Sequence, residues 1–254
     1  MNSLSKLYKK NGYHFIAITD HRIYYKKDDE HLDGCEYNCY LDLDERYHFH
    51  LLTLNNGQTS IEDNDNTYKS LFYTKLEEVQ DFINLLKSKG NMVFIAHPKN
   101  ILIPLEMLMT LNNYDGIEVF NSKADSDASD YYEKLLRDRD IKCLAVDDSH
   151  AYQVEGKVMY FRGFIVIEDG LEPLRAVQLG HYYSSTGAMI NEIKVEGKHI
   201  EVITDADVEI MTYNALKECT IHCCKSLDIT DEVISFRAIC YQGEEKAWTN
   251  LISV

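Results

Sequence analysis

Apolar positions along the first two-thirds of the chain fall in short runs separated by stretches of helical periodicity. Tyr13 to Thr19 reads as a buried strand, preceded by a short helical piece, Leu4 to Lys10, that Gly12 can terminate. Tyr47 to Leu54 reads as a second strand, and the polar run Asn55 to Asn66 as a loop. Thr74-Lys75-Leu76-Glu77 has the form of a capping box, after which Leu76, Val79, Ile83 and Leu86 recur at helical spacing until Gly90. Met92 to Ala96 is a strand, Pro104 to Leu111 a helix, Gly116 to Phe120 a strand, Ser129 to Arg139 a helix and Lys142 to Val146 a strand. Such alternation predicts an α/β fold with a mostly parallel sheet or barrel.

The period then changes. After Phe161 to Glu168 and a helix around Leu174 to Leu179, apolar residues alternate with polar ones. Ile193 and Val195 precede the turn at Gly197, and Ile200 and Val202 follow it, which predicts a hairpin. Ile234, Phe236, Ala238 and Cys240 keep the period of two, so a small antiparallel β domain is expected over residues 181–254.

Composition narrows the function classes. A formal net charge of −16 disfavours a general affinity for nucleic-acid backbones or anionic lipid. A phosphorylated substrate then needs a bound metal or a local cluster of cations. No run of apolar residues is long enough to span a bilayer, so no membrane partner is expected. The 7 Cys include no CxxC pair and read as reduced thiols of a cytoplasmic protein.

The polar residues at the strand ends carry the candidate chemistry. The first strand ends in Thr19-Asp20-His21, the strand at Met92 in Ala96-His97-Pro98, and the strand at Lys142 in Asp148-Ser149-His150. Glu118 and Asn121 stand on the strand between them; His48 and His50 lie within the second strand, with Glu36 in the loop before it. Imidazoles and carboxylates converging on one rim form the ligand set of Zn, Mn or Fe.

In this order the motifs resemble the PHP (polymerase and histidinol phosphatase) superfamily. Gly12 to His21 is similar to its second motif. Gly34-Cys35-Glu36, Tyr47 to Leu52, Phe94 to Pro98, Asp115 to Asn121 and Asp147 to His150 follow in the family's order. In the tail, Gly180 to Gly187 and Lys246 to Asn250 are similar to a β-sandwich that follows the PHP domain in one bacterial subgroup. The resemblance implies a distorted β/α barrel over residues 1–175 and a small β-sandwich over 181–254. The family's opening His-x-His strand has no counterpart before Gly12, so the barrel is expected without its first strand. His48-Phe49-His50 has that spacing but follows the Thr19-Asp20-His21 motif and is not counted as that element.

The resemblance also implies one to three divalent metal ions. Glu36, His50 and His97 match the ligands of one, with Glu36 bridging toward a second that Asp148 also binds; His21 and His150 match ligands of a third. A metal-bridging hydroxide would be the nucleophile, which makes His21, Glu36, Asp148 and His150 the expected catalytic set. Around them, Asp20 is expected to orient the site, Arg22 and Lys99 to meet substrate phosphate, and His48, Glu118 and Asn121 to hydrogen-bond ligands or substrate. The expected activity is hydrolysis of a small phosphoester such as a nucleotide or sugar phosphate, with a short oligonucleotide also compatible. Two alternatives are a carboxyl or carbamate ester hydrolase using the same metals, and a metal- or ligand-binding homologue without turnover.

Overall fold

The structure, a computed structural model, describes residues 3–23, 31–55, 70–150 and 159–254. The rest of the expected loop at Asn55 to Asn66 lies outside these residues. The chain divides into two compact units, Met1–Glu118 with Gly170–Gln178, and Val119–Asp169 with Leu179–Val254.

The first unit contains α1 (Ser3–Lys10), β1 (Ile16–Ile18), β2 (His31–Asp42), β3 (Arg46–Asn55), β4 (Leu71–Tyr73), α2 (Leu76–Ser88), β5 (Met92–Ile95), α3 (Leu105–Thr110) and the start of β6 (Gly116–Asn121). Its frame is the antiparallel hairpin of β2 and β3, in register from Asp33 opposite Asn55 to Asp42 opposite Arg46. The other edge of β2 takes β1 in parallel at its start and β4 in parallel near its end. Between these, His21 forms an isolated parallel bridge with Glu36. β3 continues antiparallel to β5, which runs parallel to β6.

Leu41, Phe49, Leu51, Val93, Phe94 and Ile95 are fully buried in this sheet, and α2 covers it with Val79, Phe82, Ile83 and Leu86. The helix starts because Glu78 reaches back to the N–H groups of Thr74 (2.8 Å) and Lys75 (3.0 Å), satisfying donors that the first turn leaves over.

The second unit contains the end of β6, β7 (Ser126–Asp127), α4 (Ser129–Leu136), β8 (Lys142–Val146) and β9 (Phe164–Ile167). Helix α5 (Pro173–Leu179) belongs, except for its last residue, to the first unit. There follow β10 (Tyr182–Ser185), β11 (Glu192–Glu196), β12 (His199–Ile203), β13 (Asp207–Asn214), β14 (Cys219–His222), β15 (Ser226–Asp228), β16 (Val233–Gln242), β17 (Glu245–Thr249) and β18 (Ile252–Ser253).

From β9 onward the strands pair antiparallel, in a sheet of order β14-β13-β16-β17-β10-β9 with β18 on β16, and in a three-stranded sheet β11-β12-β15. Ile200, Ile210, Phe236, Ala238, Cys240 and Ala247 form the core of these strands. Side chains tie β8 to them: Ser184 Oγ donates to the Cys143 carbonyl (2.9 Å) and Asn250 Oδ1 accepts from the Cys143 N–H (3.1 Å). Trp248 is buried, and its Nε1–H donates to Ser129 Oγ (2.9 Å) on α4.

The expected α/β fold, a distorted β/α barrel of the PHP type, is not what the chain forms. Among the described residues, strand accounts for 43% and helix for 18%, with five helices and curled sheets. The strands expected at Tyr47, Met92, Gly116 and Lys142 are present, but their connections differ. A parallel pair needs a crossover of about a dozen residues or more, whereas residues 43–45 alone join β2 to β3 and force them antiparallel. The excess of strand comes largely from β2 and from the tail.

Among the described residues, no helix is long and apolar enough to cross a membrane.

Candidate metal centre

In the first unit, three strands deliver a cluster of imidazole and carboxylate groups. Glu36 is central to β2, not in a loop, because both faces of that strand are buried and its polar residues stay within the ladder. His21 is held beside it by two backbone bonds, from the Arg22 N–H to the Glu36 carbonyl (2.9 Å) and from the Glu36 N–H to the Asp20 carbonyl (3.3 Å). Asp20 and Arg22 thus fix His21 through their backbones. On β3, His48 and His50 point to one face, as residues two apart on a strand must.

His21, Glu36 and His50 bring one ligand atom each within 4.8 Å of one another. Ligands about 2.1 Å from a tetrahedral zinc lie about 3.4 Å apart, so closure around an ion asks for shifts of about 1 Å. Two imidazoles and a carboxylate suit zinc and other borderline divalent cations. Cys35, next to Glu36, is fully buried and its thiol is pushed up to about 12 by that burial, so it packs as a neutral group.

Glu36 is the electrostatic focus. Burial would raise its carboxyl, but hydrogen bonds from His50 and His97 overcome this and hold it well below the usual carboxylate range. His50 Nδ1 contacts Glu36 Oε1, and His97 Nε2 lies 3.5 Å from the same oxygen. His48 stacks on Tyr40 and its Nε2 lies 2.9 Å from His50 Nε2. Burial, aided by the rings of His50 and His97, pulls His48 down to about 4, so it is neutral near pH 7 and orients His50 by a hydrogen bond.

Glu118 is buried, and its Oε2 accepts from the His97 N–H (2.8 Å). That bond holds His97 at a left-handed φ of 31°. Lys99 follows in the turn after His97, partly exposed.

In the second unit, Asp148 and His150 stand with Asn121 and Lys123. Asn121 Nδ2 donates to Asp148 Oδ2 (3.2 Å), and Lys123 Nζ lies 3.7 Å from that oxygen and 3.0 Å from His150 Nε2. The preceding Asp147 accepts three backbone N–H bonds, from Phe161 (2.6 Å), Arg162 (2.9 Å) and Gly163 (2.8 Å), leaving Asp148 as the carboxylate turned to the cluster.

Arg22, His97 and Asp148 are among eight of the described non-glycine residues with positive φ. Such backbone costs about 1–3 kcal/mol and gathers where side chains are held for a task.

The chain thus places His21, Glu36, His50, His97 and Glu118 in one unit and Asn121, Asp148 and His150 in the other. The roles of Lys123 and Asp147 were not visible in the sequence; for Lys123, the signal was a cation two residues past Asn121, beyond the end of a strand. His199 forms a surface row, its Nδ1 2.7 Å from Asp228 Oδ1 and its Nε2 3.1 Å from Ser226 Oγ, because β12 and β15 set His199 opposite Asp228.

No family model matches the chain, and no match is found among the curated proteins.

Proposed function

We propose that the first unit binds a divalent transition-metal ion through His21, Glu36 and His50, and that the protein is a metal-dependent hydrolase of small phosphoesters. The observation that carries this reading is the convergence of those three ligand atoms within 4.8 Å, on side chains whose backbones are fixed by strand pairing. The ion, when bound, supplies a Lewis acid for a phosphoryl oxygen and acidifies water.

The chain's own residues prepare the place. Glu36 stays ionised under the bonds of His50 and His97, and Glu118 fixes the backbone from which His97 reaches it. Lys99, two residues past His97 and partly exposed, supplies a cation that an otherwise acidic protein needs to hold a phosphate, whereas Arg22 is buried. The motif order that resembles the PHP superfamily supports phosphoesters as the substrate class.

Turnover of bis-p-nitrophenyl phosphate and p-nitrophenyl phosphate, measured with added Zn, Mn or Fe, tests it, with p-nitrophenyl acetate in parallel. Phosphoester turnover that EDTA abolishes and that Glu36→Gln and His50→Ala lower at least about 100-fold is expected, since orientation of charge at a metal is worth several kcal/mol. Hydrolysis of the acetate alone would move the substrate to carboxyl esters. Absence of turnover on all three with every metal would refute the hydrolase reading.

A further inference from the structure

We propose that Lys123 is the resident cation of the Asp148–His150 pair, so that this pair is filled by an ammonium group and does not take up a metal ion. The inference deepens the reading above, because it leaves metal binding to the first unit.

The hydrogen-bond pattern carries it. His150 Nδ1 lies 2.8 Å from the Asp148 carbonyl oxygen and 3.5 Å from its Oδ1. Both oxygens are acceptors, so the ring proton is on Nδ1 and the lone pair is on Nε2. An ammonium only donates, and Lys123 Nζ is 3.0 Å from that Nε2. The same Nζ lies 3.7 Å from Asp148 Oδ2, which also accepts from Asn121 Nδ2. The Asn121 amide is oriented by the Ala124 N–H, which donates to its Oδ1 (2.9 Å). The two atoms with which His150 and Asp148 would ligate an ion therefore face the positive end of Lys123.

The backbone keeps Lys123 there. Its N–H donates to the Asp147 carbonyl (3.2 Å), and the Ser122 N–H donates to the Val146 carbonyl (2.9 Å). The Tyr160 hydroxyl donates to the His150 carbonyl (2.7 Å) and holds the other side. The ammonium already balances the Asp148 charge. A divalent ion entering here would have to expel Lys123 and meet its repulsion. Among the described residues, three potential ligand atoms converge at His21, Glu36 and His50.

The test is zinc stoichiometry by equilibrium dialysis and plasma mass spectrometry on the full chain. Lys123→Met should bind one equivalent more than the wild type. That equivalent should vanish in Lys123→Met/His150→Ala and persist in Lys123→Met/His50→Ala, which separates this pair from the first-unit cluster. Lys123→Arg, which keeps the cation, should bind as the wild type does, and Lys123→Gln serves if the methionine variant folds poorly. His150→Ala alone should lose no zinc. Loss of an equivalent from His150→Ala, or unchanged stoichiometry in both Lys123→Met and Lys123→Gln, would overturn the inference. If the wild type binds no zinc but Lys123→Met gains one, the first-unit reading fails and this one stands.

Discussion

The Asp147 carboxylate offers a sharp test of how the second unit holds its cluster. It is buried and accepts backbone N–H bonds from Phe161 and from the pair Arg162 and Gly163 on its two oxygens. In Asp147→Asn the retained oxygen can still serve Arg162 and Gly163, but the new amide NH2 faces the Phe161 N–H, donor against donor. One bond to a charged acceptor is worth about 1.5–3 kcal/mol, and loss of charge weakens the other two by about 0.5–1 kcal/mol each. The sum is a destabilisation of about 2.5–5 kcal/mol. At about 2–4 °C per kcal/mol, the midpoint of thermal unfolding should fall by about 5–20 °C. Far-UV circular dichroism at pH 7 measures it. A midpoint within about 2 °C of the wild type would refute the claim that this carboxylate ties the loop at Phe161 to the end of β8.

Other expectations follow from equally local features. Arg237 is fully buried, ion-paired to Glu133 and set over the Tyr132 ring at 5.0 Å, so Arg237→Met should cost about 3–5 kcal/mol in urea unfolding by stranding Glu133, and Glu133→Gln in the same chain should recover part of it. Asp127 is held below the ordinary carboxylate range: its partial burial opposes this, and hydrogen bonds from Lys246 and Ser129 outweigh it. Its contribution is therefore present above about pH 4 and lost as the pH falls through its lowered folded value, so the stability gap between wild type and Asp127→Asn should close between neutral and acid pH. Gly34 has no room for a side chain, since a Cβ would lie 2.6 Å from Thr19 Cγ2 and 2.8 Å from the Thr53 carbonyl oxygen. Gly34→Ala should cost about 1–3 kcal/mol and, by displacing β2 two residues from Glu36, weaken zinc binding in a competition titration.

Much of the chain was legible because period and capping act locally. The helix at Leu76 announced itself through Leu76, Val79, Ile83 and Leu86, although the acid that closes its capping box is Glu78, one residue beyond the Glu77 that the sequence suggested. The hairpin at Gly197 lies where alternation placed it, with Ile193 opposite Val202 and Val195 opposite Ile200. The failure came at β2. Both faces of that strand are buried, so Gly34, Glu36 and Asn38 break any alternation while each still fits the ladder. With β2 unseen, Tyr47 to Leu54 looked like one strand of a parallel series and not the return arm of a hairpin, and a barrel seemed to follow. The polar strand-end residues were visible as a set, because His and acidic groups at strand ends are costly without partners. The resemblance grouped Glu36, His50 and His97, which do meet at the Glu36 carboxylate; that His21 joins Glu36 and His50 was not legible, since the bridge of His21 with Glu36 beside the β1–β2 pairing decides it, and that contact is distant in sequence.

Metal content tests the central claim most directly. The full chain, purified without chelator and dialysed, should carry about one equivalent of Zn, Mn or Fe by plasma mass spectrometry, and Glu36→Gln and His50→Ala should each lose it while keeping the wild-type circular dichroism spectrum. A folded wild-type sample that carries none, and takes up none on dialysis against these ions, would contradict the assignment of His21, Glu36 and His50 as a metal centre.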